Sequence, residues 1–404
     1  MNSWPSFTKH ESKIAQKIIA SSKVNYWTGN EGKLFEAEFS KWVGVRYAIA
    51  VSNGSVALDL ALKSLDLKKG DEVIVTPRSF VASATSVVNC GAKPVFADVD
   101  LSSGNLSSKT IIRKITKKTK AIICVHLGGL PCEMDEILKL AKKFNLYVIE
   151  DCAQAHGAFY KNKSVGSIGH IGAWSFCQDK IITTGGEGGM ITTNDKKLWQ
   201  KMWAFKDHGK NYHSVFKKKH PPGFRWLHDS FGTNFRMTEV QSAIGRYQLR
   251  KLKSWNKISR RNASIIQNIA LKFPEFLHVP HLPTHSNHAF YRCYIQVKEN
   301  SLKNKWNRDK IISEIVSHGV PAFSGSCSEI YLEKAFKDSK FSIKKRLPNA
   351  KELGETSLCF LVHPTLTMKD MNKVSSVLLK VFTKIKKDNI CLLYTSDAAD
   401  ESCS

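Results

Sequence analysis

The sequence predicts an α/β fold: a mostly parallel seven-stranded sheet sandwiched by helices, plus a smaller α+β C-terminal domain. Three observations carry this. Short apolar runs recur through the first half, each followed by a segment with helical spacing. The runs are continuous rather than alternating, as strands covered on both faces require. After Pro280 the pattern changes to shorter, mixed elements.

Tyr47–Val51 reads as the first strand and Ser55–Leu65 as a helix with apolar residues on one face. Glu72–Thr76 is the next strand and Val81–Val88 the next helix. Pro94–Asp98, Lys120–Val125 and Tyr147–Glu150 are further strands, with a helix over Cys132–Phe144 between the last two. Ala173–Phe176 and Gly189–Thr193 complete the seven, flanking a glycine-rich turn, and a helix begins at Lys196. Gly209–Phe235 is polar, contains Pro and Gly and lacks periodicity; a loop that long is usually functional or packed on a partner. Helical patterning resumes over Met237–Leu252 and again over Trp255–Leu271. Beyond Pro280, Tyr291–Val297 reads as a strand, and Arg308–His318 and Met368–Ile385 as helices. The expected division is a large domain over 1–252, whose N-terminal segment is free to pack on the small domain, and a small domain over 253–390.

A chain of 404 residues corresponds to two or three domains at roughly 150 residues each. With 42% hydrophobic and 24% charged residues it is neither a disordered chain, a collagen nor a disulfide scaffold. No apolar run approaches the roughly 18 residues of a membrane span. Met1–Lys13 lacks the charged head and apolar core of a secretory leader, so a cytoplasmic protein is expected. From Cys391 the chain reads CLLYTSDAADE, which resembles the translation of a transposon adapter used in sequencing libraries; 391–404 is expected to be read-through and is set aside. That stretch holds Asp397, Asp400 and Glu401 but no Lys or Arg, so the net charge without it rises from +26 to +29.

The eight cysteines that precede this tail form no C-x-x-C pair and no zinc-type grouping, and the histidines are dispersed, so no metal site is expected. Buried thiols in a reducing compartment are the plain reading. The basic charge would attract any polyanion. However, Lys and Arg are spread along the chain, and clusters such as Lys217–Lys219 and Lys344–Arg346 do not alternate with aromatics. No nucleic-acid-binding motif is present, so a solvated Lys-rich surface is favoured and neither nucleic acid nor membrane is an expected partner.

Three segments carry chemistry. Ser52-Asn53-Gly54-Ser55 joins a strand to a helix: Gly54 admits close backbone approach, and the helix N-terminus offers amide donors to a phosphate. Ser and Asn are also ordinary N-caps, so alone this says little. The strand ending at Glu150 leads into Asp151, an acid at the mouth of a parallel sheet; a carboxylate there favours a protonated heteroaromatic nitrogen by about 1–3 pKa units, but taken alone a turn-capping Asp is the favoured reading. Lys180 sits between a strand and a glycine-rich turn, and lysine amines form Schiff bases with aldehydes such as pyridoxal phosphate, although most lysines of so basic a chain are solvated. Together, the three supply an anion seat, a pyridinium partner and an imine-forming amine.

With those segments in hand, the sequence resembles the DegT/DnrJ/EryC1/StrS family of sugar aminotransferases, of the fold-type I pyridoxal-phosphate group. The matching segments are NYWTG at Asn25, SNGSVALDLAL at Ser52, GDEVIVTPRSFVASA at Gly70, EDCAQAHGA at Glu150 and SFCQDKIITTGGEGGMITTND at Ser175. DHGK at Asp207, FGTNFRMTEVQSAIGRYQL at Phe231 and HPTLT at His363 continue the family order. The resemblance implies that Lys180 holds pyridoxal 5'-phosphate as an imine and then serves as general acid and base. It implies that Asp151 pairs with the ring nitrogen, Gln154 lies near the ring hydroxyl and Phe80 stacks on the ring. Gly54, Ser55 and Ser175 would bind the phosphate, and Asn234 would reach the phosphate of a neighbouring subunit, making a homodimer with composite sites. The family often has Thr where this chain has Ser55; the hydroxyl is retained. The implied reaction moves an amino group from glutamate to a nucleotide-linked keto sugar destined for polysaccharide, lipopolysaccharide or an antibiotic.

Some residues stay open. His156 either faces the site or only holds its loop; His288 and Tyr291 are pocket candidates, with a core strand the stronger reading for Tyr291; Phe323–Tyr331 falls where the family contacts its sugar. The nearest alternative is a sugar dehydratase on the same fold, in which a histidine replaces the lysine. A non-catalytic regulator or polyanion binder is the alternative of a different class.

Overall fold

A computed structural model describes residues 3–302 and 306–397, the backbone alone beyond Asp388. Seven strands form the main sheet: β1 (Tyr47–Val51), β2 (Glu72–Val75), β3 (Lys93–Phe96), β4 (Thr119–Val125), β5 (Tyr147–Asp151), β6 (Ile171–Ser175) and β7 (Gly189–Thr193). Their spatial order is β1-β7-β6-β5-β4-β2-β3. Pairing is parallel from β6 through β3, and β7 runs antiparallel to both β1 and β6.

Strand alternation sends successive side chains to opposite faces. Ile49 and Val51 of β1 therefore pack with Leu58 and Leu62 of helix Gly54–Lys63, while Ala48 and Ala50 meet Phe35 and Phe39 of helix Glu31–Val43. Ile74, Ile122 and Val148 pack under Met134, Ile137 and Leu140 of helix Met134–Phe144. Both faces are covered, which is why the strands read as unbroken apolar runs. Each fully buried aliphatic side chain is worth about 1.5–3 kcal/mol relative to exposure.

A second, four-stranded antiparallel sheet is formed by Leu277–His278, Cys293–Val297, Ser357–Phe360 and Ala322–Phe323, in that spatial order. Its core of Ile266, Ile295, Ile311, Leu378 and Phe382 is shared with helices Arg308–Ser317 and Met368–Asp397. Residues 398–404, and the side chains from 389 on, lie outside the described residues, and with them the adapter-like tail apart from its helical backbone to Asp397.

Two local expectations are corrected. Met237–Leu252 and Trp255–Leu271 are not two helices but one, Glu239–Ala270, started by a Thr238/Gln241 capping box. No Gly or Pro lies between the two patterned halves, so nothing ends the helix there. The Gly209–Phe235 excursion also carries structure, with a short helix at Tyr212–Phe216 and bridges Lys210↔His228 and Asp207↔Asn234. Its base is fastened by buried Asp207, which accepts from Arg236 at 2.7 Å, and from Lys210 and the Trp27 indole, both at 3.3 Å.

Candidate active site

At the carboxyl ends of β5 and β6, beside the N-terminus of helix Gly54–Lys63, lies a cavity of about 430 Å³. Gly54, Ser55, Phe80, Asp151, Gln154, Ser175 and Lys180 all line it. Seven of the eight candidate residues thus meet in one place. Asn234 is the exception: it lies exposed on the excursion, its side chain accepting from the Arg236 amide at 3.3 Å.

Asp151 ends β5 and is buried, with Ser83 Oγ donating to it at 2.8 Å and the Ala153 amide at 3.2 Å. Burial pushes its carboxyl above the ordinary value; those two hydrogen bonds and the charge of Lys180 offset this only in part. A nearby cation would therefore be strongly welcome. Gln154 is fixed by the Gly128 amide, which donates to its Oε1 at 2.7 Å. Asn53 caps the helix by accepting from the Val56 amide at 2.9 Å, leaving the first-turn amides of Gly54 and Ser55 at the cavity wall. A Cβ on Gly54 would stand 2.5 Å from the Ser175 Cβ, so only glycine lets the turn and β6 approach this closely. Phe80 is 67% exposed, a ring face at the cavity rim.

Lys180 follows β6, and its Nζ lies 3.1 Å from Asp179 Oδ2 and 5.2 Å from the Tyr291 ring centre. The Tyr291 hydroxyl donates to that same Asp179 oxygen. For the Asp179 carboxyl, burial is the largest influence and raises it, but Lys180 and the Tyr291 phenol together outweigh burial and hold it below the usual value. Asp179, Lys180, Phe80 and Gln154 also border a second chamber of about 690 Å³, walled by Arg292, Tyr294, Phe323 and Lys334 among others. The Phe323–Tyr331 segment contributes to this outer chamber.

Tyr291 is a correction: the strand starts at Cys293, so Tyr291 lines the outer chamber rather than a core strand. His288 lines neither chamber. His156 is fully buried with its ring 5.3 Å from Trp174 and 5.6 Å from Phe176, packed behind the site rather than facing it. Burial lowers its imidazole to about 3, so it stays neutral.

His126 went unnoticed in the sequence. Fully buried just after β4, it accepts the Cys132 amide on Nδ1 at 3.0 Å, so its proton is on Nε2, 3.0 Å from Glu150. Glu150 also accepts from the amides of Gly166, Ile168 and Gly169 at 2.9, 2.8 and 2.6 Å. These bonds pin the strand from which Asp151 projects. The same pair with Cys152 brings three potential metal-ligand atoms within 4.8 Å. The His126 nitrogens and the Glu150 carboxylate are already taken up in the hydrogen bonds just described.

The sheet order, with its cavity at the strand ends, is that of a fold type I aminotransferase. Residues 5–379 match the model of the DegT/DnrJ/EryC1/StrS aminotransferase family, and the chain belongs to that family. A solved aminotransferase from Psychrobacter cryohalolentis is 55% identical, with a TM-score of 0.94 over 95% of this chain and 99% of its own. GDP-perosamine synthase from Escherichia coli O157:H7 is 43% identical over 261 residues, 65% of this chain and 68% of its own. The enzyme of the same name from Caulobacter vibrioides is 35% identical over 362 residues, covering 88% of this chain and 92% of its own. No helix among the described residues is long and apolar enough to cross a membrane.

Proposed function

We propose that this aminotransferase uses pyridoxal phosphate to move an amino group from an amino acid, glutamate in the first instance, to the keto group of a nucleotide-linked sugar. The observation that carries this reading is the convergence of the Lys180 amine, the buried Asp151 carboxylate and the Gly54–Ser55 helix start on one cavity. The residues fit the cofactor. The space suits a single substituted ring, the glycine turn leaves backbone amides for a phosphate, and Asp151 is a buried acid in need of a cation.

When bound, the cofactor supplies an electron sink for the substrate carbon. The chain does the rest. Asp151 keeps the ring nitrogen protonated, Gln154 and Phe80 orient the ring, and Gly54, Ser55 and Ser175 hold the phosphate. In each half-reaction Lys180 would carry the proton between the substrate carbon and the cofactor carbon, while Asp179 and Tyr291 hold its amine at the border of the two chambers. The outer chamber, with Arg292 and Lys334 in its wall, suits an anionic nucleotide sugar. The GDP-perosamine synthases among the relatives support that substrate class. A homodimer with Asn234 completing the partner's phosphate seat follows from the family resemblance. It is supported by Phe224, Trp226 and Phe231, which are 80%, 85% and 99% exposed on the excursion.

Borohydride reduction of the loaded protein followed by peptide mapping tests the assignment: the label belongs on Lys180, and its absence from that peptide overturns the reading. Glutamate-dependent formation of an amino sugar, detected by mass, separates a transaminase from a dehydratase. A deoxy sugar without nitrogen would support the latter, against which the retained Lys180 stands.

A further inference from the structure

Arg78 lies two residues before Phe80, in the turn after β2, and its side chain is buried at the seam between the two sheets. A guanidinium carries five N–H donors and is always charged. Here it makes one hydrogen bond, from its Nη2 to Ser357 Oγ at 2.8 Å, and lies 5.1 Å from the Tyr294 ring centre. Its Nε has no acceptor, and no carboxylate pairs with it among the described residues. Asp100, at the start of the neighbouring turn, is occupied instead by the amides and hydroxyls of Ser102 and Ser103.

The surroundings are shaped for this charge. A Cβ on Gly104, whose φ is +70°, would fall 2.3 Å from Nη1, so the backbone leaves a hollow for the guanidinium. Beside it is a void of about 30 Å³, lined by Arg78, Ser103, His288, Tyr294 and Ser357 among others. His288 accepts the Phe290 amide on Nδ1 at 2.7 Å, so its neutral ring presents a proton on Nε2. The void therefore sets one fixed positive charge and the His288 ring in a wall completed by Leu127, Leu130 and Leu282. A buried cation left unpaired is strongly unfavourable, and a charged partner makes the strongest compensating hydrogen bonds. Its volume matches one water-sized body and is too small for a phosphate or a sugar.

We propose that this void is a binding site for a single halide-sized monovalent anion, chloride in the cell. Bound there, the ion neutralises Arg78 and ties the turn that carries Ser79 and Phe80 to the strand carrying Ser357. This site is separate from the cavity at Lys180 and does not depend on the reaction assigned to it.

The test is the unfolding equilibrium of the cofactor-loaded protein at constant ionic strength, with gluconate replaced stepwise by chloride or bromide. Above saturation the unfolding constant should fall about tenfold for each tenfold rise in halide, the signature of one ion bound by the native state alone. Arg78→Met should abolish that dependence. Equal behaviour in halide and gluconate, or an unchanged halide slope in Arg78→Met, would overturn the proposal. Crystals of the wild-type protein in bromide provide a measurement that does not depend on the variant folding. An anomalous peak in the void against the Arg78 guanidinium supports the site, and water alone at that position refutes it.

Discussion

The carboxylate of Asp179 stands 3.1 Å from the amine of Lys180, its neighbour in the chain, and accepts the hydroxyl proton of Tyr291, which is 112 positions away. The proposed reacting amine is thus seated by one local and one remote partner, where the inner and outer chambers meet.

Replacing that acid should loosen the amine. Asp179→Asn removes an ion pair whose acid is 44% exposed, so solvent screening limits it to about 1 kcal/mol, which corresponds to a loss of about fivefold in kcat/KM for amination. Steady-state kinetics within twofold of wild type would contradict the role.

The same pair makes a pH prediction. The folded value of Asp179 is depressed, so its contribution to stability is fully present above about pH 4, the unfolded value, and disappears as pH falls through the lower folded value. The difference in unfolding midpoint between wild type and Asp179→Asn, measured across acidic pH, should be constant at neutrality and vanish on strong acidification. A difference that widens in acid would show the opposite linkage.

Asp151 is expected to separate stability from function. Its folded value is raised by burial, so in the cofactor-free protein it costs stability once pH exceeds the unfolded value, and Asp151→Asn should be no less stable than wild type at neutral pH. Asn still accepts from Ser83 but cannot pair with a ring cation. Turnover should fall between about tenfold and a thousandfold, the reach of a pairing worth 1–3 pKa units. Calorimetry of the apoprotein beside activity of the loaded enzyme checks both halves.

Gly54→Ala places a methyl group 2.5 Å from the Ser175 Cβ. Overpacking of this kind costs about 1–3 kcal/mol, and the strain falls on the phosphate seat. Cofactor affinity, followed by absorbance titration, should weaken by about 10–100-fold; an unchanged affinity would place the phosphate elsewhere.

Phe80→Ala should spare the fold, because a ring 67% exposed stabilises little, while weakening cofactor binding through loss of a stacking face worth about 0.5–1.5 kcal/mol. Equal affinities for the two proteins would argue against stacking.

Much of the inner chamber was legible because its parts are local. Asp151 and Gln154 share one loop, Ser175 and Lys180 another, and Gly54 with Ser55 a strand-to-helix turn. Each turn follows a recognisable apolar run, and parallel sheets bring such turns to one edge. Asp179 was in plain view beside Lys180, yet nothing in a run of polar residues marks which one faces a cavity. His126 directly follows β4, one position beyond Val125, the strand partner of Asp151, and its place at the carboxyl end of a parallel strand was the available signal.

Other groups gave no signal at all. Lys206 reads as one more surface lysine of a basic chain, but it is fully buried with its Nζ 3.9 Å from the Tyr26 ring centre and 3.7 Å from Asp207. Glu36, which accepts the Ala50 amide and the Tyr26 hydroxyl, is half-buried beside them, and desolvation raises its carboxyl. The long helix Glu239–Ala270 was divided in the reading because its apolar stripe weakens near Lys253 and Ser254, whereas backbone hydrogen bonding runs straight through.

By itself, the sequence determined the layered α/β architecture and the three segments, around Gly54, Asp151 and Lys180, that meet at the inner chamber, because periodicity and turn chemistry act over neighbouring residues and repeat in chain order; Phe80, Gln154 and Ser175 were implied by the family resemblance. Tertiary structure alone decided that Tyr291 reaches Asp179, that His156 turns into the core, and that Arg78 is buried without an acid. Those outcomes depend on which surfaces meet when the second sheet packs on the first. Burial and pairing between distant positions are set by that packing, and no local pattern encodes them.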